Sequence, residues 1–550
     1  MSVLPVFTRR LRLYFPRPTG RIGRMAKPLS WSPATYFLLL AALAVAGLLL
    51  LTPVYLVVRT LGAGTAALDA LLKLSTLETM GRTLWLAGSV TLASITLGVP
   101  LAWLTTCTDL PGRRFWTVVV ALPLVLPSYV AAYLLASLLG PRGLLQQALQ
   151  PLWGVERLPD IYGFPGAFLV LTLMSYPYVF LSVRAALRGM DPAQVEAARS
   201  LGLSARQAFW RVTLPQLRPA MVAGGLLVAL YVLRDFGAVT MMRYDTFTRI
   251  IYIQYRSFAD RSVAAALALV LVGMTATILY FEYRTRGKAQ YARRSVGVAR
   301  QLRRVHLGRW RVVALLLVVS VVVIALLLPA GGLLYWLVRG LAGNLSLAAL
   351  AAPAGGSLLV SLGAALLALG AALPVAILAV RRPGTWSHLL ERLTYAGFAL
   401  PGIVIALALV FFGATYAPAL YQTIPLLLVA YVILFLPQAV GSARASLLQV
   451  PRNVEEAGRS LGHTPAGVLR RVTLPLIRPG IFAGAALVFL TCMKELPATL
   501  LLSPAGFRTL STGVWANISE AFFAQAAAPA LLIILLSSIP LAWLTWRERD

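Results

Sequence analysis

The polar stretch Glu196-Ala-Ala-Arg-Ser-Leu-Gly202 occurs a second time, 260 positions further on, as Glu456-Ala-Gly-Arg-Ser-Leu-Gly462. Both copies continue to the sequence Arg-Val-Thr-Leu-Pro, which ends at Pro215 and Pro475. Between 196 and 219, 13 of the 24 positions are identical to their partners 260 residues later. Chance similarity between apolar segments favours Leu, Ala and Val, whereas these matches include Glu, Arg, Ser, Gly, Thr and Pro. We therefore interpret the repeat as a true internal duplication.

The rest of the chain is strongly apolar. Of its 550 residues, 59% are hydrophobic and 12% are charged, whereas a soluble domain carries about 25% charged residues. This composition predicts an all-α polytopic membrane protein, because helices satisfy their own backbone hydrogen bonds in lipid. The net charge of +31 does not indicate a nucleic-acid partner, since the basic residues concentrate in alternate loops.

Twelve segments have the roughly 20 apolar residues that a membrane-crossing helix needs. Six lie in each half of the chain, so both halves enter the membrane from the same side, as a parallel repeat. Matched prolines extend the duplication: Pro100 with Pro374 and Pro127 with Pro401, at an offset of 274. The predicted spans are 35–58, 83–106, 115–139, 164–184, 219–241, 262–283, 312–338, 357–380, 393–413, 424–443, 479–502 and 523–546.

The distribution of basic residues predicts the topology. The first 30 residues hold seven Lys or Arg and no acid, and the stretch 284–311 is the most basic of the chain. The positive-inside rule then places both termini in the cytoplasm, although the opposite-side loop 242–261, with four Arg, argues mildly against it. The predicted units are a basic tail (1–30), a first six-helix domain (31–284, with loop 191–219), a basic connector (285–311) and a second six-helix domain (312–550, with loop 451–479).

The duplicated loop carries signals for capped helices. Asp191 and Pro192 suit the start of a short helix, and Gly202 suits a left-handed end. Ser204 begins a second short helix, which we expect Pro215 to help end. The small residues next to Glu196 and Glu456 predict a face that another protein can approach closely; they are Ala197, Ala198, Ala457 and Gly458.

The spacing Glu-Ala-Ala-x3-Gly-x9-Val-x-Leu-Pro resembles the "EAA" loop of bacterial ABC importer permeases, the binding-protein-dependent transport inner-membrane components. Both copies depart from it at Val212 and Val472, where the family usually has Ile. The second copy departs again at Gly458, where the family has Ala. The resemblance implies a type I ABC importer permease fold in the bacterial inner membrane, in contact with lipid. It also implies that each loop is a coupling helix docking on a cytoplasmic ATPase subunit, and that a periplasmic binding protein delivers the substrate. The residues it marks for coupling are Glu196, Ala197, Ala198, Gly202, Pro215, Glu456, Ala457, Gly458, Gly462 and Pro475.

The chain has no ATP-binding loop of its own. None of its four lysines lies in a Gly-x4-Gly-Lys-Ser/Thr context, so the phosphate cradle of a P-loop is not encoded. We therefore expect no cofactor in this chain, no catalytic residue, and ATP hydrolysis by two partner subunits, one for each loop.

Two charged pairs interrupt apolar spans at matched positions. Arg234-Asp235 lies in the fifth predicted span and Lys494-Glu495 in the eleventh. Ionisable residues inside a membrane by default mark functional or interface positions, and neighbours on a helix do not face each other. We expect partners on the other half, in a gate or polar lining of a pathway or in a structural ion pair between helices. Gly237 and Pro497 are expected to break the helices just beyond.

The sequences of these segments are similar to those of ferric-iron ABC permeases, which are commonly one fused chain of twelve spans. The similarity rests on 494–502, 235–239, 244–248 and Trp515. Fused thiamine permeases and some phosphonate permeases are also similar, so those substrates stay open. Asp235, Glu495 and Tyr244 offer the oxygen atoms that Fe(III) prefers, but we assign no metal site. From other classes, an ion-coupled secondary transporter and a channel or scaffold leave the duplicated loop unexplained.

Overall fold

The computed structural model describes residues 33–62, 64–257, 261–286, 305–343, 346–397 and 400–547. The predicted basic tail (1–30) and residues 287–304 of the predicted connector lie outside these ranges. Within them the chain forms α-helices joined by short turns, with one parallel bridge between Thr108 and Val305. The predicted all-α class is confirmed.

The last seven helices of each half follow one another in the same order. The first half contains α1 (Pro33–Gly62), α2 (Thr65–Leu72), α3 (Leu74–Cys107), α4 (Arg113–Val119), α5 (Ser128–Leu139), α6 (Leu144–Trp153), α7 (Phe164–Gly189), α8 (Pro192–Ser200), α9 (Ala205–Ala208), α10 (Leu214–Arg234), α11 (Gly237–Met241), α12 (Phe247–Arg256) and α13 (Arg261–Arg286). The second contains α14 (Arg311–Val322), α15 (Leu328–Ala342), α16 (Ala351–Arg381), α17 (Thr385–Ala396), α18 (Gly402–Tyr416), α19 (Ile424–Gln449), α20 (Arg452–Ser460), α21 (Pro465–Val468), α22 (Leu474–Met493), α23 (Pro497–Leu502), α24 (Leu510–Ser519) and α25 (Phe523–Arg547).

Length and apolar composition support fewer spans than the twelve predicted. Among the described residues, nine helices are long and apolar enough to cross a membrane. A tenth results if the segments 113–125 and 128–153, bent by 96°, form one broken span. Of the remaining two predicted spans, 393–413 corresponds to the shorter apolar helix Gly402–Tyr416. The predicted span 523–546 coincides with α25, Phe523–Arg547. The protein is therefore a multi-pass membrane protein, and the count of twelve is not confirmed.

The third predicted span of each half is broken, so the continuous helices expected at 115–139 and 393–413 are wrong. In the first half α5 begins directly after Pro127, and in the second α18 begins directly after Pro401. Both prolines are extended, with ψ of 140° and 147°. A proline ring also disfavours the helical conformation in the residue before it. Each helix begins just beyond its proline, which leaves a half-length helix at matched positions.

The two halves interlock through their first helices. Helix α1 packs against α16, α17 and α18 of the second half, and the ring of Tyr55 lies edge-on to Phe412 with centroids 6.1 Å apart. In return, α15 packs against α5 of the first half. There the indole N–H of Trp336 donates to Ser137 Oγ at 3.0 Å. Each half therefore completes the packing of the other.

The last residues of the connector are attached to the first half. The N–H of Val305 donates to the carbonyl of Cys107 at 2.8 Å, and the N–H of Leu307 donates to Asp109 Oδ1 at 3.0 Å. The latter bond holds the pKa of Asp109 below its usual value, because it favours the charged carboxylate. The entry into the second half is thus anchored to the loop after α3.

Candidate functional site

The first duplicated segment folds as a capped short helix. The carboxylate of Asp191 accepts the N–H of Ala193 at 3.0 Å, and Pro192 occupies the first turn of α8. Gly202 follows the helix with φ of +89°, a conformation that costs a residue with a Cβ about 1–2 kcal/mol. The start and end predicted for this helix are both present. We call α8 and its partner α20 the repeat helices.

The second repeat helix ends in the same way. Gly462 has φ of +87°, and the hydroxyl of Thr464 then accepts the N–H of Gly467 at 3.1 Å to start α21. Ser204 does the equivalent work in the first half, where its hydroxyl accepts the N–H of Gln207 at 3.3 Å. The duplication is therefore visible in backbone conformation as well as in sequence.

The second short helix does not end at Pro215, contrary to the sequence-based expectation. Helix α9 continues through a π-helical turn, Phe209–Thr213, directly into the long α10. In that turn the N–H of Leu214 bonds to the carbonyl of Phe209, five residues back. Pro215 has no N–H to donate to the preceding turn of the helix. The wider π-helical turn tolerates this missing donor, so the helix continues. The turn Leu469–Thr473 joins α21 to α22 identically, so each repeat helix is followed at once by a continuous spanning helix.

Only part of the small-residue face predicted on the repeat helices points outward. Glu196 and Ala197 are exposed, as are Glu456 and Ala457, whereas Ala198 and Gly458 are buried. A Cβ at Gly458 would lie 3.2 Å from Val468 Cγ2. The small residue at this position therefore permits close packing against the chain's own following helix, and the exposed face is narrower than expected.

Two leucines on the repeat helices were missed by the sequence analysis. Leu201 and Leu461, directly before the left-handed glycines, are 86% and 81% exposed. A single exposed apolar side chain is common on protein surfaces, but its recurrence at the same position of both repeat helices makes this position a candidate contact surface. The signal was present in the identical Leu-Gly pairs. Periodicity could not reveal it, because these residues lie where the helix ends.

The two charged pairs lie where spanning helices stop and restart. We call 234–236 and 494–496 the charged breaks. Helix α10 ends at Arg234 and α11 begins at Gly237, while α22 ends at Met493 and α23 begins at Pro497. Helix irregularity at Gly237 and Pro497 is confirmed. Both breaks fall inside the spans predicted at 219–241 and 479–502, so each span ends in a long helix followed by a short one.

The acidic residue of each charged break binds the next short helix. Asp235 Oδ1 accepts the backbone N–H of Ala238 at 2.9 Å, and Glu495 Oε1 accepts that of Ala498 at 3.2 Å. These bonds satisfy donors that a helix start otherwise leaves without partners. The backbone carbonyls are also matched: that of Asp235 accepts the hydroxyl of Thr248 at 2.6 Å, and that of Glu495 accepts Ser511 at 3.0 Å. Both acids therefore have a structural role.

The basic residues of the charged breaks reach toward the opposite half. Lys494 Nζ donates to the carbonyl of Leu124, in the first half, at 3.0 Å. Arg234 and Glu495 interact electrostatically across the two halves. Among the described residues, however, none of the four charged groups forms an ion pair within 4.0 Å. The partner found for Lys494 is a carbonyl oxygen and not the carboxylate that an ion pair requires.

Aromatic rings close the space between the halves beside the charged breaks. Phe236 lies 5.3 Å from Trp515, and Tyr133 stacks on Phe523 at 6.0 Å, each distance joining ring centroids of different halves. Tyr244 is directed elsewhere, with its hydroxyl donating to the carbonyl of Arg82 at 3.2 Å. In the described part of the chain, no group of three or more His, Cys, Asp or Glu side chains could hold a metal ion.

Comparison with known proteins identifies the family. Residues 94–284 and 364–550 each match the family described as "Binding-protein-dependent transport system inner membrane component". The chain is 36% identical to the Fe(3+)-transport system permease protein FbpB 2 of Haemophilus influenzae, over 88% of this chain and 93% of the relative. It is 24% identical to the ferric transport system permease protein FbpB of Actinobacillus pleuropneumoniae, over 90% of this chain and 73% of the relative.

A relative from another transport system matches one part of the chain. The molybdenum transport system permease protein ModB of Escherichia coli is 35% identical over 147 residues, which are 27% of this chain and 63% of the relative. The similarity to the H. influenzae protein, by contrast, runs through both halves and the segment that joins them.

Proposed function

Because this chain belongs to the family of binding-protein-dependent transport system inner membrane components, we propose that it is the fused permease of an ABC importer for ferric iron. In this proposal a periplasmic binding protein delivers the substrate to the side of the membrane opposite the repeat helices. Two cytoplasmic ATPase subunits, one for each repeat helix, bind and hydrolyse ATP. The chain itself supplies the path and the mechanical coupling and performs no covalent chemistry.

The observation that carries the coupling role is the matched geometry of the two repeat helices. Each is short, ends at a left-handed glycine and runs on through a π-helical turn into a long helix. Each exposes a carboxylate, Glu196 or Glu456, and a leucine, Leu201 or Leu461. A surface of this kind offers apolar contact and charge to a partner. A movement of the bound partner would reach the membrane segment without a flexible linker between them.

The charged breaks are the proposed gate region. They lie between the halves, next to the aromatic contacts between Phe236 and Trp515. Short helices that stop and restart inside a membrane are tolerated where they are buried in protein or line a cavity. Separation of the halves would part these aromatic contacts and open a polar path lined by Arg234 and Lys494.

Ferric iron as the substrate is supported by the names of the two relatives that match along most of this chain. The partial match to a molybdenum permease supports the family and not a substrate. Specificity is assigned to the binding protein. Among the described residues of this chain, no group of three or more His, Cys, Asp or Glu side chains could hold a metal ion. Thiamine and phosphonate are the alternative substrates.

The test is ATPase activity of the complex in liposomes, with the partner ATPase and its binding protein. Glu196→Lys/Glu456→Lys reverses both exposed charges at the docking surface, so we expect the ATPase to dissociate and stimulated hydrolysis to be lost. Asp69→Lys is the matched control, because Asp69 is exposed on α2, outside the repeat helices. This variant should retain the ATPase.

Each outcome has a defined meaning. Stimulation by binding protein loaded with Fe(III) supports the substrate, whereas stimulation only by thiamine- or phosphonate-loaded protein would replace it. A charge-reversal variant that couples normally would refute the role of the repeat helices. Uptake driven by an ion gradient without any ATPase would favour a secondary transporter.

A further inference from the structure

A largely buried ion pair joins the second repeat helix to a spanning helix. Arg381, the last residue of α16, places Nε and Nη2 each 2.9 Å from Glu455 Oε1 on α20. The side chains are 14% and 10% exposed. Removing one partner of such a pair leaves a charge without compensation in a poorly solvated place. The contact therefore resists being pulled apart.

Further hydrogen bonds connect the Arg381–Glu455 pair to two other helices, α22 and α19. Thr473, in the π-helical turn before α22, donates its hydroxyl to Glu455 Oε1 at 3.0 Å. Arg381 Nη2 also donates to the carbonyl of Val450, at the end of α19, at 3.1 Å. Arg452 of α20 returns a bond to the carbonyl of Val380 at 3.1 Å. Helices α16, α19 and α22 thus all meet at α20.

The first half cannot build this connection. At the matched offsets, Cys107 ends α3 where Arg381 ends α16, and Val195 stands where Glu455 stands. Neither side chain can carry the charge that an ion pair needs. Repeat helix α8 is joined to α10 instead by an exposed bond, from Gln216 Nε2 to Gln194 Oε1 at 2.7 Å. Water competes with an exposed hydrogen bond between two side-chain amides, so this bond contributes little to rigidity.

We propose that the Arg381–Glu455 pair is a positioning clamp that makes the two repeat helices mechanically unequal. The second repeat helix moves as one body with α16, α19 and α22, and it transmits partner closure to the membrane segment. The first repeat helix follows its own spanning helix more loosely. This inference rests on the proposed coupling function, and it assigns to Arg381 and Glu455 a role in transmission and not in binding the ATPase.

The experiment compares Glu455→Gln and Arg381→Met with wild type in the complete complex in liposomes. Glu455→Gln is the conservative change, because the amide oxygen can still accept the Thr473 hydroxyl. The readout is the ratio of ATPase activity stimulated by Fe(III)-loaded binding protein to basal activity. We expect each variant to retain its ATPase and to lower this ratio roughly two- to thirtyfold, the range of coupling changes from single substitutions. The double variant should fall no further than the single ones.

Glu391→Gln is the matched control. Glu391 forms another ion pair of the second half, 2.8 Å from Arg444, with Glu391 12% and Arg444 43% exposed. This pair joins α17 to α19 and does not include α20. Its loss should leave the ratio unchanged. A normal ratio in the clamp variants, or an equal fall in Glu391→Gln, would overturn the clamp while the proposed function stands. Failure of the wild-type chain to bind an ATPase would instead remove the proposed function itself.

Hydrogen exchange on the purified chain provides a second measurement that needs no partner. Amides of α20 should exchange more slowly than those of α8 in wild type, because only α20 is clamped. Glu455→Gln should abolish this difference. Equal protection of the two helices in wild type would contradict the inequality.

Discussion

At the scale of single residues, the acids of the charged breaks have a structural role that is separate from any role in a pathway. The sequence predicted Asp235 and Glu495 as a gate lining or as partners in an ion pair. The structure shows both accepting N–H groups of the helix that follows. A membrane-embedded carboxylate is costly, and these bonds offset part of that cost. The carboxylates of Asp235 and Glu495 are thus compatible with a role in a pathway, but such a role is not needed to explain their presence.

Asp235→Ala and Asp235→Asn separate these two roles. Loss of the acceptor oxygen in the alanine variant should lower the free energy of unfolding by about 1 kcal/mol, as for other helix caps. The asparagine variant retains an acceptor and should be close to wild type in a thermal melt in detergent. If the asparagine variant is stable but transports poorly, the charge itself acts in the path. Equal stability of the alanine variant and wild type would exclude the capping role.

At the scale of elements, the left-handed glycines set where each repeat helix ends. Gly202 and Gly462 have nearly the same φ, +89° and +87°, and both are followed by a capped turn that leads into a spanning helix. The segment on either side is therefore fixed in direction. The exposed leucine that precedes each glycine is presented to solvent by the same turn.

Gly202→Ala should loosen the end of α8. No atom lies within 4 Å of the added Cβ, so the strain comes from the positive φ alone, about 1–2 kcal/mol. We expect faster hydrogen exchange of the α8 amides. Gly189→Ala is the control, since Gly189 ends α7 with equally open space and no positive φ. Unchanged exchange in Gly202→Ala, or equal acceleration in both variants, would contradict this explanation.

At the scale of the whole molecule, the halves form one structure and not two independent bundles. Helix α1 packs on the second half, and α15 packs on the first. In these two crossed contacts, Tyr55 packs against Phe412, and Trp336 donates a hydrogen bond to Ser137. An arrangement of this kind holds the halves together through side-chain packing, whether or not the chain between them is continuous.

A protease site inserted within 287–304 tests this arrangement. After cleavage, we expect the halves to copurify in mild detergent, because the crossed contacts remain. Trp336→Ala in the cleaved chain should promote separation, since it removes a large side chain packed against α5. Trp310→Ala is the control, because Trp310 is 60% exposed. Spontaneous separation of the cleaved wild-type halves would show that the connector, and not packing, holds them.

The sequence by itself determined the features that depend on local chemistry or on repetition. The duplication, the membrane class, the capped repeat helices and the breaks at Gly237 and Pro497 follow from residue type and spacing along a short segment. Prolines and glycines act on their own backbone, so their effect can be read without a tertiary structure. The same local reasoning gave a wrong prediction at Pro215, where a helix end was expected and the helix continues. The π-helical turn that allows this has no sequence signal of its own.

Only the tertiary structure decided which residues meet. Burial of Gly458 against Val468, the exchange of α1 and α15 between halves and the Arg381–Glu455 pair all join residues from different elements. Hydrophobic periodicity cannot predict such pairs in a membrane protein, because apolar side chains face both lipid and neighbouring helices. The asymmetry of the two repeat helices is the clearest case. The two repeat helices differ in attachment because Val195 and Cys107 in the first half stand where Glu455 and Arg381 form an ion pair in the second.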